Sequence, residues 1–116
     1  MTDLNLQLHE AIQLQQGGQL DEAAKYYADI LEQFPDHADA NHLFGLVSHQ
    51  KGCHSRALEF IDRAIAERPD IAIYHANRGR ILKAVGNNVA AASAYSRALR
   101  LQPGEGITLS DLAGVL

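Results

Sequence analysis

The feature that most constrains the fold of this chain is one interval that recurs along it. Its three prolines stand 34 residues apart, at Pro35, Pro69 and Pro103. The same interval separates three glycines and three alanines, which are Gly18, Gly52, Gly86, Ala23, Ala57 and Ala91. Because several residue types keep one period of this length, the sequence predicts a stack of structural repeats.

Each interval is predicted to form two helices joined by a turn. In the second interval, apolar residues recur at helical spacing before Gly52 and again between Gly52 and Pro69. A glycine can adopt the positive φ that ends a helix, and a proline prevents a helix from continuing. Asp36 and Asp70 follow prolines, so we expect each to cap the next helix with its carboxylate.

Small residues occupy matching places in the predicted helices. Ala11, Gly45 and Gly79 share one position of the first helix. Two helices approach to the short end of the usual distance, about 8–10 Å, only when nothing bulky lies between them. Gly45→Leu is therefore expected to overpack the hairpin by about 1–3 kcal/mol.

This pattern resembles the tetratricopeptide repeat. The resemblance extends from about Leu4 to Pro103 and is carried in the second and third intervals by Phe44-Gly45, Gly52, Ala57, Ile61, Ala64, Pro69, Arg78-Gly79, Gly86, Ala91, Tyr95, Ala98 and Pro103. In place of the family's first-helix aromatic stand Gln7, Asn41 and His75, and Ile61 replaces the second-helix aromatic. We expect these departures to lower stability without changing the fold.

The resemblance implies an all-α, right-handed α-solenoid of three helix-turn-helix units. One domain is expected over residues 1–116, with repeats at about 2–35, 36–69 and 70–103. Residues 108–116 carry leucines at helical spacing, which predicts one more helix. That helix is either a natural cap or the beginning of a fourth repeat in a longer protein.

In the family, partners lie along the first helices of the repeats. The corresponding residues predicted to bind a peptide or protein segment are Leu8, Ile12, His42, Leu46, His49, Ile73, Asn77, Arg80 and Lys83. An alternative is that several of the apolar residues are partly buried between neighbouring helices. One subtype of the family clamps a terminal carboxylate, but here its positions hold Leu8, Ile12, Leu43, Ile73 and Asn77. A second subtype has a ladder of asparagines, of which only Asn77 remains.

Other functional classes have little support in the sequence. The net charge is −4 and basic residues do not cluster, so nucleic acid is not an expected partner. No apolar run approaches the ~18 residues of a membrane span, and the N-terminus lacks a signal-peptide pattern. These features predict a cytoplasmic protein that does not bind membranes.

No metal or cofactor is predicted. His37 and His42, like His49 and His54, are five residues apart, which does not align two ligands on one helix. Cys53 is the only cysteine, and a lone thiol is usually not a site of chemistry.

The sequence therefore predicts a non-catalytic module that binds another protein or a peptide. Two alternatives remain. One is the N-terminal region of a larger enzyme, such as a glycosyl-, methyl- or sulfotransferase, that recruits substrates or dimerises the enzyme. The other is a small chaperone. Self-association through open solenoid ends is a further possibility.

Overall fold

The computed structural model describes residues 3–103 and residue 114. Within these residues the chain forms six α-helices, which are Leu4–Gln16 (α1), Leu20–Gln33 (α2), Ala38–Gln50 (α3), His54–Glu67 (α4), Ala72–Ala84 (α5) and Asn88–Leu101 (α6). Each 34-residue interval holds one pair of helices, as the sequence predicts. The helix predicted over residues 108–116 lies outside the described residues.

The helices belong to two compact units. Unit 1 spans Met1–Glu67 and holds α1 to α4, whereas unit 2 spans Arg68–Leu116 and holds α5 and α6. In unit 1, α1 packs on α2, α2 on α3, and α3 on α4. In unit 2, α5 packs on α6. The assignment of residues 1–116 to one domain, with its repeat boundaries, stays a prediction.

A glycine ends the first helix of every pair. Gly18, Gly52 and Gly86 have φ values of 83°, 85° and 85°. In the second pair, the amide of Cys53 donates to the Ser48 carbonyl at 2.8 Å, and the amide of Gly52 donates to the His49 carbonyl at 2.9 Å. These two bonds define a Schellman motif, which satisfies carbonyls that the helix end would leave unpaired.

The predicted caps at Asp36 and Asp70 are wrong. The N-cap of α3 is His37, whose Nδ1 accepts a hydrogen bond from the Ala40 amide at 3.1 Å. The N-cap of α5 is Ile71, which makes no side-chain cap bond. Each helix begins two residues after the aspartate, so the carboxylate lies one position too early to cap it.

Two glycines allow the helices of a hairpin to approach closely. A β-carbon added at Gly45 would lie 2.9 Å from Ile61 Cγ1, and one added at Gly79 would lie 2.5 Å from Tyr95 Cε1. These distances are shorter than van der Waals contact, so any larger residue would displace its neighbour. The structure therefore supports the predicted overpacking in Gly45→Leu.

Two residues stand where the family has an aromatic side chain in the first helix. Each of them forms a hydrogen bond with the carbonyl of the preceding proline. Asn41 Nδ2 donates to the carbonyls of Pro35 at 3.0 Å and His37 at 3.1 Å. His75 Nε2 lies 2.8 Å from the Pro69 carbonyl oxygen. In both repeats, a polar side chain thus connects the first helix by a hydrogen bond to the segment before it.

Candidate functional site

In unit 1, the predicted binding residues lie on α1 and α3, which contact each other. Leu8 packs against the core cluster of Ala11, Ala23, Tyr27 and Val47. Leu43, which is part of the same apolar strip, packs there too. The alternative that some of these leucines are partly buried therefore holds for these two side chains. Ile12 and Leu46 are half-buried and lie outside that core cluster.

His42 is buried rather than displayed. Its side chain is only 6% exposed. Burial lowers its pKa to about 4, and the nearby Asp39 carboxylate opposes this effect only in part. His42 is consequently neutral at pH 7, and it cannot offer a positive charge to an acidic partner there.

His49 faces a residue that was not predicted to lie near it. Its Nδ1 is 3.0 Å from Nδ1 of His54, and the two ring centroids are 5.0 Å apart. Burial, followed by the proximity of His54, lowers the pKa of His49. Helical spacing along the sequence does not reveal this pair, because the two residues do not share a helix. They lie on α3 and α4, and the turn containing Gly52 brings the two helices together.

A chain of hydrogen bonds connects three helices of unit 1. The Tyr27 hydroxyl on α2 donates to Gln15 Oε1 on α1 at 2.7 Å, and Gln15 Nε2 donates to Gln50 Oε1 on α3 at 2.7 Å. Burial raises the pKa of Tyr27 to about 12, so its hydroxyl stays protonated and can donate. This network fixes the end of the α1–α3 surface beside His49.

In unit 2, the predicted residues lie on α5 and differ widely in exposure. Ile73 is 47% exposed, whereas Asn77 is 8% exposed. Arg80 Nη1 donates to Asn77 Oδ1 at 2.6 Å, so the amide oxygen of Asn77 is already used within the protein. Lys83 is exposed. The part of α5 that a partner could reach is therefore apolar at Ile73 and basic at Lys83.

A cleft in unit 1 involves none of the predicted binding residues. Its volume is about 450 Å³, and it is lined by residues of α2, α3 and the start of α4, including Phe44, Lys51, Cys53 and Arg56. Lys51 pairs with Asp21 across it. The sequence gives no periodic signal for such a cleft, because it depends on how two hairpins pack.

The sequence model of the tetratricopeptide repeat family matches residues 8–70 and 54–106 of this chain. The chain belongs to the tetratricopeptide repeat family. Together with the six helices, this match confirms the predicted fold class, an all-α solenoid of helix-turn-helix units. Among curated proteins, none matches the sequence significantly.

Solved structures include several similar tetratricopeptide repeat chains. An O-GlcNAc transferase mutant from Thermobaculum terrenum is 29% identical with a TM-score of 0.93, over all of this chain and 23% of that one. The first repeat domain of Spaghetti (RPAP3), bound to an HSP90 peptide, is 17% identical with a TM-score of 0.90. The match covers 95% of this chain and 87% of that one. The Yersinia enterocolitica type III secretion chaperone SycD, bound to a peptide of the translocator YopD, is 14% identical with a TM-score of 0.88. The match covers 97% of this chain and 91% of that one.

Two further properties of the described residues bear on the site. None of the helices in this part of the chain is long and apolar enough to cross a membrane. Within residues 3–103 and 114, histidine, cysteine, aspartate and glutamate side chains nowhere form a group of three or more placed to hold a metal ion.

Proposed function

We propose that this tetratricopeptide repeat chain is a non-catalytic module that binds a segment of another protein through its first helices. The observation that carries the proposal is the partial exposure of Ile12 and Leu46, at equivalent positions of α1 and α3. Apolar side chains in repeated positions can anchor alternate side chains of a bound segment. The peptide complexes of Spaghetti and SycD are consistent with this role for the fold.

The chemistry of the partner follows from each unit in turn. In unit 1, Ile12 and Leu46 would receive apolar side chains, while His42 is too buried to contribute a charge. In unit 2, Lys83 and Arg80 on α5 would favour carboxylates, and Ile73 would add an apolar contact. We therefore expect apolar side chains in a segment bound to unit 1, and acidic side chains with an apolar anchor in a segment bound to unit 2.

The proposal is tested by placing negative charges on the first helices. The partner is first captured from the source organism and identified, and its affinity is then measured by isothermal titration calorimetry with purified protein. Leu46→Asp and Arg80→Glu are each expected to weaken binding by about tenfold or more, which corresponds to about 1.4 kcal/mol.

Matched controls come from α6, which is a second helix. Val89 is 86% exposed and Arg97 is exposed, so Val89→Asp and Arg97→Glu introduce the same charges away from the first helices. Both controls should bind as the parent does. If the first-helix variants also keep the parent affinity while remaining helical by circular dichroism, binding through this surface is excluded.

A second candidate places the same binding role within a larger transferase. It is favoured by the likeness to the O-GlcNAc transferase, of which this chain covers 23%. The flanking coding sequence of the gene tests it, because a transferase domain in the same reading frame is the expected finding. The likeness to the SycD chaperone is at 14% identity and supports the fold alone.

A further inference from the structure

His49 and His54 approach each other closely. Their Nδ1 atoms are 3.0 Å apart, and each ring belongs to a different helix of unit 1. From this geometry we propose that the two imidazoles form a binding site for a divalent transition-metal cation such as Zn²⁺, with both Nδ1 atoms as ligands. Imidazole nitrogen is a preferred ligand of Zn²⁺, Ni²⁺ and Cu²⁺.

The distance between the two nitrogens suits a shared cation. With metal–nitrogen bonds of about 2.0–2.1 Å, two ligand atoms lie about 2.9 Å apart at a right angle and about 3.4 Å apart at the tetrahedral angle. The observed separation of 3.0 Å falls within that range. To bind one cation, each ring would have to tilt so that its Nδ1 lone pair points at the cation and not at the other nitrogen.

The backbone around the pair holds the two histidines in place. His49 is the second-last residue of α3, and His54 is the first residue of α4. The connecting turn is fixed by the positive φ of Gly52 and by the hydrogen bond from the Cys53 amide to the Ser48 carbonyl. The backbone positions of both ligands are therefore set before a cation arrives, which reduces the entropy lost on binding.

The repeat fold does not itself require this pair. One interval earlier, the same positions hold Gln15 and Leu20, and one interval later they hold Lys83 and Asn88. The turn in all three intervals has the same backbone geometry, because Gly18 and Gly86 have the same positive φ as Gly52. The two histidines are thus a feature of the second repeat alone, in a structural setting that tolerates other residues.

The protonation state of the pair also suits a cation. At 3.0 Å, only one Nδ1 can carry a proton, and the other must accept from it. A cation would bind when the shared proton leaves Nδ1 and both rings become the Nε2–H tautomer, so a neutral pair releases no net proton. Water would complete the coordination, since two protein ligands alone do not fill it.

The test is a titration of the whole chain with zinc chloride at pH 7.5, followed by long-range ¹H–¹⁵N spectra of the imidazoles. Zn²⁺ is diamagnetic, so both Nδ1 resonances can be observed directly. The Nδ1 signals of His49 and His54 are expected to shift together, and Nε2 of each ring should carry the proton. Unchanged Nδ1 signals for this pair at saturating zinc would show a hydrogen-bonded pair only, and would overturn the proposal.

Variants taken from the sibling repeats give an independent measure. His49→Gln copies Gln15, and His54→Asn copies Asn88, so both side chains already occur in this setting. Loss of an outer-shell partner costs about 10–100-fold in metal affinity, and loss of one of two direct ligands should cost at least about tenfold. His9→Gln changes an exposed histidine on α1 and is the matched control. Equal zinc affinity in the double variant His49→Gln/His54→Asn and the parent would contradict the site, as would an equal loss in His9→Gln.

Discussion

Single buried polar residues give this repeat protein properties that its apolar pattern does not reveal. His42 and Asn41 are adjacent on α3, and both are nearly inaccessible, at 6% and 1% exposed. A buried polar side chain constrains the fold more strongly than an exposed one, because it must keep its hydrogen bonds and its neutral form. Such residues make stability depend on pH and on single substitutions.

His42 is expected to make the protein less stable in mild acid. Its pKa is about 4 in the folded state against about 6.5 when unfolded. Because the folded pKa is the lower one, its stabilising effect is complete above pH 6.5 and is lost as the pH falls toward 4. When the pH falls from 7 to 5, this residue should lower the free energy of unfolding by about 2 kcal/mol.

Urea unfolding at both pH values measures this effect. His42→Leu takes the residue found at Leu8, the equivalent position of the first repeat, and should lose much less stability on acidification than the parent. His9→Gln alters an exposed histidine and should keep the parent behaviour. An unchanged pH dependence in His42→Leu would refute the assignment.

The residue scale also marks the limit of sequence reasoning about the site. Gly45 and Gly79 were identified as small residues needed for close helix packing, because one interval relates them to Ala11. The burial of His42 and Asn77 could not be predicted, since a polar residue on a predicted face can point into the protein or out of it. The His49–His54 pair depends on the path of a turn, and helical spacing rules do not describe a turn.

At the scale of helices, the hydrogen bonds of Asn41 and His75 replace a packing contact with a polar one. Each side chain bonds the carbonyl of the proline six residues before it. The proline carbonyl lies beyond the helix and cannot be satisfied by the helix itself. The first helix is thereby fixed to the segment that leads into it, at a position where the family has an aromatic side chain.

Asn41→Ala is expected to destabilise the protein by about 1–3 kcal/mol, because the buried Asn41 side chain loses its hydrogen bonds to the carbonyls of Pro35 and His37. Gln7→Ala changes the equivalent residue of the first repeat, which is only part-buried, and should stay within about 0.5 kcal/mol of the parent. Guanidinium unfolding at pH 7 measures both. Equal losses in the two variants would mean that the bond to the proline does not matter.

Helix ends were predictable in part. The glycine that ends each first helix could be found from the sequence, since only glycine adopts a φ near 85° without strain. The starting residues could not. Asp36 and Asp70 have the chemistry of a cap, but the chain after the proline needs one more residue before helical geometry begins. Identity alone does not distinguish these neighbouring positions.

At the scale of the whole molecule, a repeat protein distributes its stability along the chain. In such proteins each repeat contacts only its neighbours, and stability is approximately the sum of local contributions. The two compact units and the shared 34-residue period are consistent with this arrangement. A local defect should therefore loosen the helices around it before it unfolds the rest.

Two equivalent glycines allow this to be tested. Gly79→Leu places a large side chain against Tyr95 in unit 2, and Gly45→Leu does the same against Ile61 in unit 1. Each should lower the free energy of unfolding by about 1–3 kcal/mol through overpacking.

In amide hydrogen exchange, Gly79→Leu is expected to lower protection mainly in α5 and α6, and to leave α1 and α2 close to the parent. Gly45→Leu should instead lower protection mainly in α3 and α4. Gly17→Leu, at a helix end where an added β-carbon approaches no atom closer than 3.4 Å, controls for the change of residue type. A uniform loss of protection over all six helices in either variant would show that the chain unfolds as one cooperative unit, because one substitution would then destabilise every repeat equally.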